Sequence, residues 1–158
     1  MRRVVAAAAW VIAGLVVYGP AWGAVLKEAD PARIAADPDA YVRKAVTVAV
    51  KFTKIDNGSE PWEEQANLKA SSKIKFTAAP LAEIKCYADR TQRNMEALTA
   101  LKKGKKLILT GAIRRYRTKV KVTYHRKAKA TGKWITVKRE EKGRIRYAFI
   151  VETIARAE

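Results

Sequence analysis

Alternation of apolar and polar residues is the strongest pattern in this chain, and it predicts β-strands over most of its length. Apolar residues fall on alternate positions from Val46 to Phe52, so residues 44–55 are predicted to form a half-buried strand. Gly111 lies within another such run and predicts a bulge or a sharp bend. The same alternation predicts further strands at 73–77, 83–88, 105–117, 119–127, 133–140 and 144–154.

Helical signals are fewer and shorter. The segment 30–38 begins and ends with an Asp-Pro pair, which predicts a short helix between them. Apolar residues recur at helical spacing from Met95 to Leu101, so a helix is predicted over residues 91–103. Residues 56–70 are mostly polar and are predicted to form a loop.

Together these elements predict one mainly β domain: a small antiparallel barrel of five or more strands, with one helix before the fourth strand. That layout is the layout of the OB-fold, a partly open five-stranded barrel. The runs at 119–127 and 133–140 are joined across Gly132 and predict a hairpin. The hairpin either extends the loop between the fourth and fifth strands or adds strands there.

Positive charge is concentrated in that hairpin region. The chain has 33 Lys and Arg against 15 Asp and Glu, a net charge of +18. Residues 114–146 contain 14 of the basic residues and only two acids, Glu140 and Glu141. A folded, cationic surface that also carries aromatic residues is typical of proteins that bind polyanions. The alternative is a solvated ribbon whose lysines protect its exposed edges from aggregation.

The predicted binding site comprises most of the basic residues of this segment. An anionic partner is predicted to contact Arg114, Arg115, Arg117, Lys119, Lys121, Arg126, Lys127, Lys129, Lys133, Lys138, Arg139, Arg144 and Arg146. Tyr116, Tyr124 and Trp134 are predicted either to stack on nucleic-acid bases or to pack between strands, and Trp134 is the best stacking candidate.

The N-terminus predicts export. Arg2 and Arg3 precede an uncharged apolar run, and Ala21-Trp22-Gly23 offers small residues at the positions read by a signal peptidase. Residues 1–23 are therefore predicted to be a cleaved signal peptide, and residues 24–158 a single periplasmic or secreted domain. An uncleaved membrane anchor is the alternative. Export argues against chromosomal or ribosomal targets and favours extracellular nucleic acid, anionic glycans or lipid headgroups.

No residue set for catalysis, a metal or a cofactor is predicted. Cys86 lies in an alternating run and is predicted to be a buried small hydrophobe, and His125 a surface residue among cations. Glu60, Glu63 and Glu64 are predicted to solvate a loop or to dock on the basic hairpin, not to act as paired catalytic carboxylates. We therefore expect a non-enzymatic binding module; the alternative is an envelope domain that recognises an acidic protein surface.

Two segments resemble exported bacterial OB-fold domain proteins. Residues 37–48 are similar to their opening, an Asp-Pro-x-x-Tyr turn, a Gly-Lys pair and an alternating valine strand. Residues 101–111 resemble their entry into the fourth strand. Arg43 stands where Gly usually precedes the lysine, and Ala49 where a strand glycine is common. The resemblance implies a module that binds oligonucleotides, oligosaccharides or proteins, and it names no ligand.

Overall fold

The computed structural model describes residues 27–81 and 83–157, and most of this part of the chain is in strands. The predicted signal segment, residues 1–23, lies outside the described residues. In chain order the elements are β1 (Lys27–Glu28), α1 (Pro31–Ala36), a 3₁₀ helix (Pro38–Tyr41), β2 (Ala45–Ile55), α2 (Pro61–Gln65), β3 (Lys73–Ala79), β4 (Lys85–Asp89), α3 (Gln92–Thr99), β5 (Lys106–Lys127) and β6 (Trp134–Arg156).

Five of the strands close in a ring. The order around it is β2, β3, β4, β6 and β5, with β5 pairing back to β2. The two residues of β1 pair in parallel with Val46 and Thr47 of β2. The prediction of an antiparallel barrel is wrong in one respect, because β4 and β6 run parallel and the sheet is mixed. The reason is geometric: five strands cannot alternate in direction all the way round a closed ring, so one neighbouring pair must be parallel.

The predicted helix before the fourth strand of the ring is present as α3, which precedes β5. Thr91 caps it, since its hydroxyl oxygen accepts a hydrogen bond from the amide of Asn94 at 3.2 Å. The helix ends at Thr99, four residues before the predicted end. Leu98 is its one fully buried side chain and joins the core of the ring.

The core fills the inside of the ring with alternate residues of each strand. The apolar positions predicted to face inward on β2, from Val46 to Phe52, are all buried. Cys86 is fully buried, as predicted, and burial raises the pKa of its thiol well above the ordinary range. On β5 the inward residues include Leu107, Leu109 and Ile113, so the odd-numbered positions of that strand face the core.

The four strands predicted between residues 105 and 154 are two continuous strands in the structure. β5 has 22 residues and β6 has 23, and they pair with each other along nearly their whole length. The pairing of β2 ends opposite Ala112, and the pairing of β4 ends opposite Ala148. Beyond these points the two strands project from the ring and pair with none of its other strands. We call residues 113–127 and 134–147 the ribbon.

Gly111 marks a bulge, as predicted. The register of β5 and β6 shifts between Thr110 and Gly111, which leaves Glu152 as an extra residue on β6. A Cβ atom added at Gly111 would lie 2.0 Å from the carbonyl oxygen of Ile150 and 2.9 Å from its carbonyl carbon. The close approach of the two backbones therefore requires glycine at this position.

Replacing Gly111 with alanine is expected to reduce the free energy of unfolding by about 3 kcal/mol, because the neighbour that must move is backbone, not a flexible side chain. Urea denaturation followed by circular dichroism measures the effect. Gly58→Ala is the control, since its Cβ would meet only the Asp56 side chain, at 3.3 Å. Equal stability of the two variants would show that the bulge tolerates a side chain.

Candidate binding ribbon

The register of the ribbon sorts its side chains onto two faces. Residues directly opposite each other in an antiparallel pair share a face, and successive residues alternate between faces. Lys121 lies opposite Glu140, and Thr123 lies opposite Lys138. One face, which we call the lysine face, therefore carries Lys119, Lys121, Lys127, Lys138 and Lys142, together with Thr123, His125, Trp134, Thr136 and Glu140.

Contacts within the lysine face agree with this assignment. His125 Nδ1 lies 3.1 Å from the Thr136 hydroxyl oxygen, and His125 is exposed, as predicted. Lys119 Nζ lies 3.7 Å from a carboxylate oxygen of Glu140. The Lys127 ammonium lies 5.8 Å from the centre of the Trp134 ring, within range of a cation–π interaction.

The opposite face is largely apolar, and we call it the apolar face. It carries Val120, Val122, Tyr124, Ile135 and Val137, together with Arg126, Arg139 and Glu141. Several of these side chains are open to solvent, with exposed fractions of 48% for Val120 and 38% for both Tyr124 and Ile135. The ribbon is thus amphipathic, with positive charge concentrated on one side.

The lysine face holds like charges in direct opposition. Lys119 pairs with Lys142 across the two strands, and like charges at such positions destabilise a sheet. Ion pairs on the ribbon join Arg115 to Asp39 at 3.1 Å, Lys119 to Glu140 at 3.7 Å and Arg146 to Glu60 at 3.8 Å. Two acids on the ribbon are too few to neutralise its cations, so the positive potential of the lysine face persists.

The structure divides the thirteen predicted basic site residues among four places. One side of the ribbon carries Arg115, Arg117, Lys119, Lys121, Lys127 and Lys138, and the other side carries Arg114, Arg126, Arg139 and Arg146. The connection between the strands contains Lys129 and Lys133. Arg144 lies on β6 at a second register shift, which falls between Arg117 and Lys119 of β5. Lys142 was absent from the predicted site, although its place opposite Lys119 puts it on the lysine face.

The three predicted aromatic residues differ in their surroundings. Tyr116 is half-buried and packs against Trp62, with ring centres 5.9 Å apart, and burial raises the pKa of its hydroxyl. Tyr124 lies on the apolar face. Trp134 is 68% exposed on the lysine face beside the connection between the strands. Tyr116 therefore has a packing role, whereas Trp134 is largely open to solvent.

A short helix that the sequence pattern did not reveal attaches the ribbon to the ring. α2 lies within the predicted loop, and Gln65 at its end bonds the backbone of Lys119 twice. The Gln65 amide donates to the Lys119 carbonyl at 3.3 Å, and the Lys119 amide donates to the Gln65 carbonyl oxygen at 3.1 Å. This pair of hydrogen bonds lies on the edge of β5 at Lys119, six residues beyond the start of the ribbon.

The acidic residues of this segment have separate environments. Glu60 accepts a hydrogen bond from the Trp62 indole at 2.9 Å and lies 3.8 Å from Arg146, so it docks on the ribbon, one of the two predicted roles. Glu64 is exposed. The prediction is wrong for Glu63, which is 3% exposed and points at the ring.

Glu63 is held by three hydrogen bonds. It accepts from Lys75 Nζ at 2.8 Å, from the Tyr87 hydroxyl at 2.6 Å and from the Glu60 amide at 2.8 Å. Burial alone would raise the pKa of Glu63, but these hydrogen bonds from Lys75, Tyr87 and Glu60 lower it below its ordinary value. Lys75 is buried as well, so the pair is a structural ion pair between α2 and the wall of the ring.

Neither a metal cluster nor a membrane span is present in the described residues. Within residues 27–81 and 83–157, no group of three or more His, Cys, Asp or Glu side chains is arranged to hold a metal ion. No helix in the same part of the chain is both long enough and apolar enough to cross a membrane.

In comparisons with known proteins, no family model matches this chain, and no match is found among curated proteins or solved structures. The function is therefore inferred from the ribbon and its surroundings.

Proposed function

We propose that the ring is an OB-fold whose loop between the fourth and fifth strands has lengthened into the ribbon. Three observations support this. The strands of the ring, numbered along the chain, have the order 1-2-3-5-4. The third and fifth pair in parallel, and a helix lies between the third and fourth. In OB-folds this loop and the loop between the first two strands bind oligonucleotides and oligosaccharides. Here those two loops are the ribbon and the α2 segment, which are in contact.

We propose further that the protein is an exported, non-enzymatic module that binds an anionic polymer along the lysine face. The observation that carries this proposal is the direct opposition of Lys119 and Lys142, followed along the same face by Lys121 and Lys138. Such an arrangement costs folding free energy in the free protein. A polyanion that lies along the face removes the repulsion and releases its own counterions.

The dimensions of the ribbon suit a polymer better than a single small anion. Fourteen residues of β5, from Arg114 to Lys127, extend for roughly 40 Å at about 3.3 Å per residue. Because the N-terminus predicts export, the candidate polymers are nucleic acid outside the cytoplasm, anionic glycans and the headgroups of a lipid surface.

A second candidate function follows from the apolar face. Val120, Tyr124 and Ile135 are exposed together on one side of a ribbon whose other side is cationic. An acidic protein with an apolar patch would complement both features, which agrees with a structural or interaction role in the cell envelope.

Binding measurements with four probes separate these functions. The full chain is passed over immobilised heparin and single-stranded DNA, and mixed with anionic and with neutral phospholipid vesicles. Binding to one or more of the anionic probes that weakens steeply as salt rises supports the proposed function. Absence of binding to all anionic probes at 50 mM salt would rule it out and leave the protein-interaction function.

Replacing Trp134 with alanine is expected to weaken binding of single-stranded DNA by about 1–3 kcal/mol, the range for one aromatic residue stacked on a base. Oligonucleotide should also quench tryptophan fluorescence in the parent chain, and the quenching should disappear in the variant, because the other described tryptophan, Trp62, is buried. Heparin, which has no bases, serves as the control ligand. Equal loss of heparin and DNA affinity would show that Trp134 does not stack on bases.

A further inference from the structure

A groove runs beside the edge of β5 at the base of the ribbon. Its volume is about 740 Å³, and its lining residues are Asp39, Val42, Arg43, Arg114, Arg115 and Tyr116. The 3₁₀ helix and the turn after it form one side, since Val42 bridges to Ile113 and the Arg43 amide donates to the Ile113 carbonyl at 3.0 Å. Three arginines and one aspartate are therefore among the residues that line this groove.

The carboxylate of Asp39 is already engaged by two protein groups. Arg115 donates to one of its oxygens at 3.1 Å, and the Tyr147 hydroxyl donates to the other at 2.7 Å. These contacts fix the position of Arg115 on the groove wall. The formal charges of the lining residues sum to +2, so the groove remains positive after Asp39 is counted.

Arg43 occupies a backbone conformation that favours glycine. Its φ is 64°, in the left-handed region, where an L side chain is strained. This is the position at which the resembling domains usually have Gly. The side chain of Arg43 is exposed, and its guanidinium forms no hydrogen bond or ion pair with any residue that the structure describes. The backbone of Arg43 is held by its hydrogen bond to Ile113, but no side-chain contact within the described residues offsets the strain. Strained residues of this kind cluster at ligand sites.

We infer that this groove binds a phosphate or sulfate group together with the sugar that carries it, and that Arg43 is a principal contact to the anion. A guanidinium group bonds such an oxyanion through two parallel N–H donors, and Arg43 is the groove arginine proposed to bind it in this way. Arg115, held by Asp39, adds positive charge to the same groove. Val42 supplies apolar surface for the sugar. The inference rests on the proposed function, because the oxyanion belongs to the same polyanion that lies along the lysine face.

The variant Arg43→Gly tests the inference because it should change stability and binding in opposite directions. Removing the strained side chain is expected to raise the Tm by about 2–4 °C. Removing the guanidinium is expected to weaken binding of inorganic phosphate and of the anionic polymer, each by about tenfold. Differential scanning calorimetry measures the first change, and isothermal titration calorimetry the second.

Two control variants separate charge from backbone effects. Lys44→Gln removes one positive charge next to Arg43 without altering a groove residue, and it should weaken binding by less than about twofold. Asn67→Gly changes the other non-glycine residue with a positive φ among the described residues, at 58°, and should leave binding unchanged. Binding by Lys44→Gln as weak as that by Arg43→Gly would mean that the groove contributes only general charge, which overturns the inference.

The choice of ligand separates a phosphate source from a sulfate source. An oligonucleotide with a 5′-phosphate is compared with the same oligonucleotide ending in a hydroxyl, and a sulfated heparin disaccharide with its desulfated form. The parent chain should bind the charged member of one ligand pair more tightly than the uncharged member, and Arg43→Gly should lose that preference. The pair for which this happens identifies the source as phosphate or sulfate. Unchanged affinity of Arg43→Gly for every probe overturns the inference, whereas the proposed function is tested separately by the lysine variants below.

Discussion

Replacing Lys119, Lys121, Lys138 and Lys142 together with glutamine is expected to weaken polyanion binding by about 100-fold at 50 mM salt. The four side chains lie on one face, so a single polymer can contact all of them. Each lost contact with an anionic group means that one counterion fewer is released on binding. The slope of log affinity against log salt concentration therefore becomes smaller by about one for each contact. Glutamine keeps most of the side-chain length and introduces no repulsion with Glu140. Fluorescence anisotropy with labelled single-stranded DNA and with labelled heparin measures the loss.

The matched control makes the same change of charge elsewhere on the molecule. Lys51, Lys102, Lys103 and Lys105 are exposed and lie on the ring and next to α3, away from the ribbon. Their replacement with glutamine lowers the net charge by the same four units and should reduce affinity by less than about tenfold, since distant charges are screened. Similar losses in the two variants would show that binding follows net charge and does not depend on the lysine face.

Replacing Glu63 with alanine is expected to reduce the free energy of unfolding by about 3–5 kcal/mol, the usual cost of removing one partner of a buried ion pair. The change leaves the ammonium of Lys75 buried without a carboxylate and removes the acceptor of the Tyr87 hydroxyl. Thermal and urea denaturation measure the loss. Glu64→Ala is the control, because Glu64 is exposed on the same helix. A loss of less than about 1 kcal/mol would mean that water replaces the missing carboxylate.

The same pair predicts the direction of a pH effect on stability. The hydrogen bonds lower the pKa of Glu63 in the folded protein, so its contribution is complete above the unfolded pKa, about 4.3. The contribution is lost as the pH falls through the lower, folded pKa. The difference in stability between the parent and Glu63→Gln should therefore be largest near neutral pH and should shrink in acid.

Much of the ring could be predicted from local pattern because its strands alternate strictly. Val46 to Phe52 predicted β2 to within one residue, and Gly111 predicted a bulge. The parallel pairing of β4 with β6 could not be read from local pattern, because it depends on how many strands close the ring. The continuity of β5 and β6 was missed because register shifts interrupt the alternation without ending the pairing.

The sequence named most of the basic residues of the candidate site, although not Lys142, and it did not reveal their arrangement. The charge of residues 114–146 is evident in the sequence, whereas the separation into a lysine face and an apolar face depends on the register beyond the second shift. Helix α2 was missed because its five residues are too few to show a helical period. The role of Glu63 depends on Lys75 and Tyr87, which are 12 and 24 residues away in sequence. The sequence shows that Arg43 stands where the resembling domains usually have Gly. The structure gives the physical reason for that preference, because φ at this position is positive.

The most direct test of binding along the lysine face is the salt dependence of single-stranded DNA and heparin affinity, compared between the parent chain and the four-glutamine variant of the ribbon. We expect log Kd to rise linearly with log salt concentration in the parent, and the slope of the variant to be smaller by about three to four, which matches four lost contacts. An unchanged slope in the variant would contradict binding along this face.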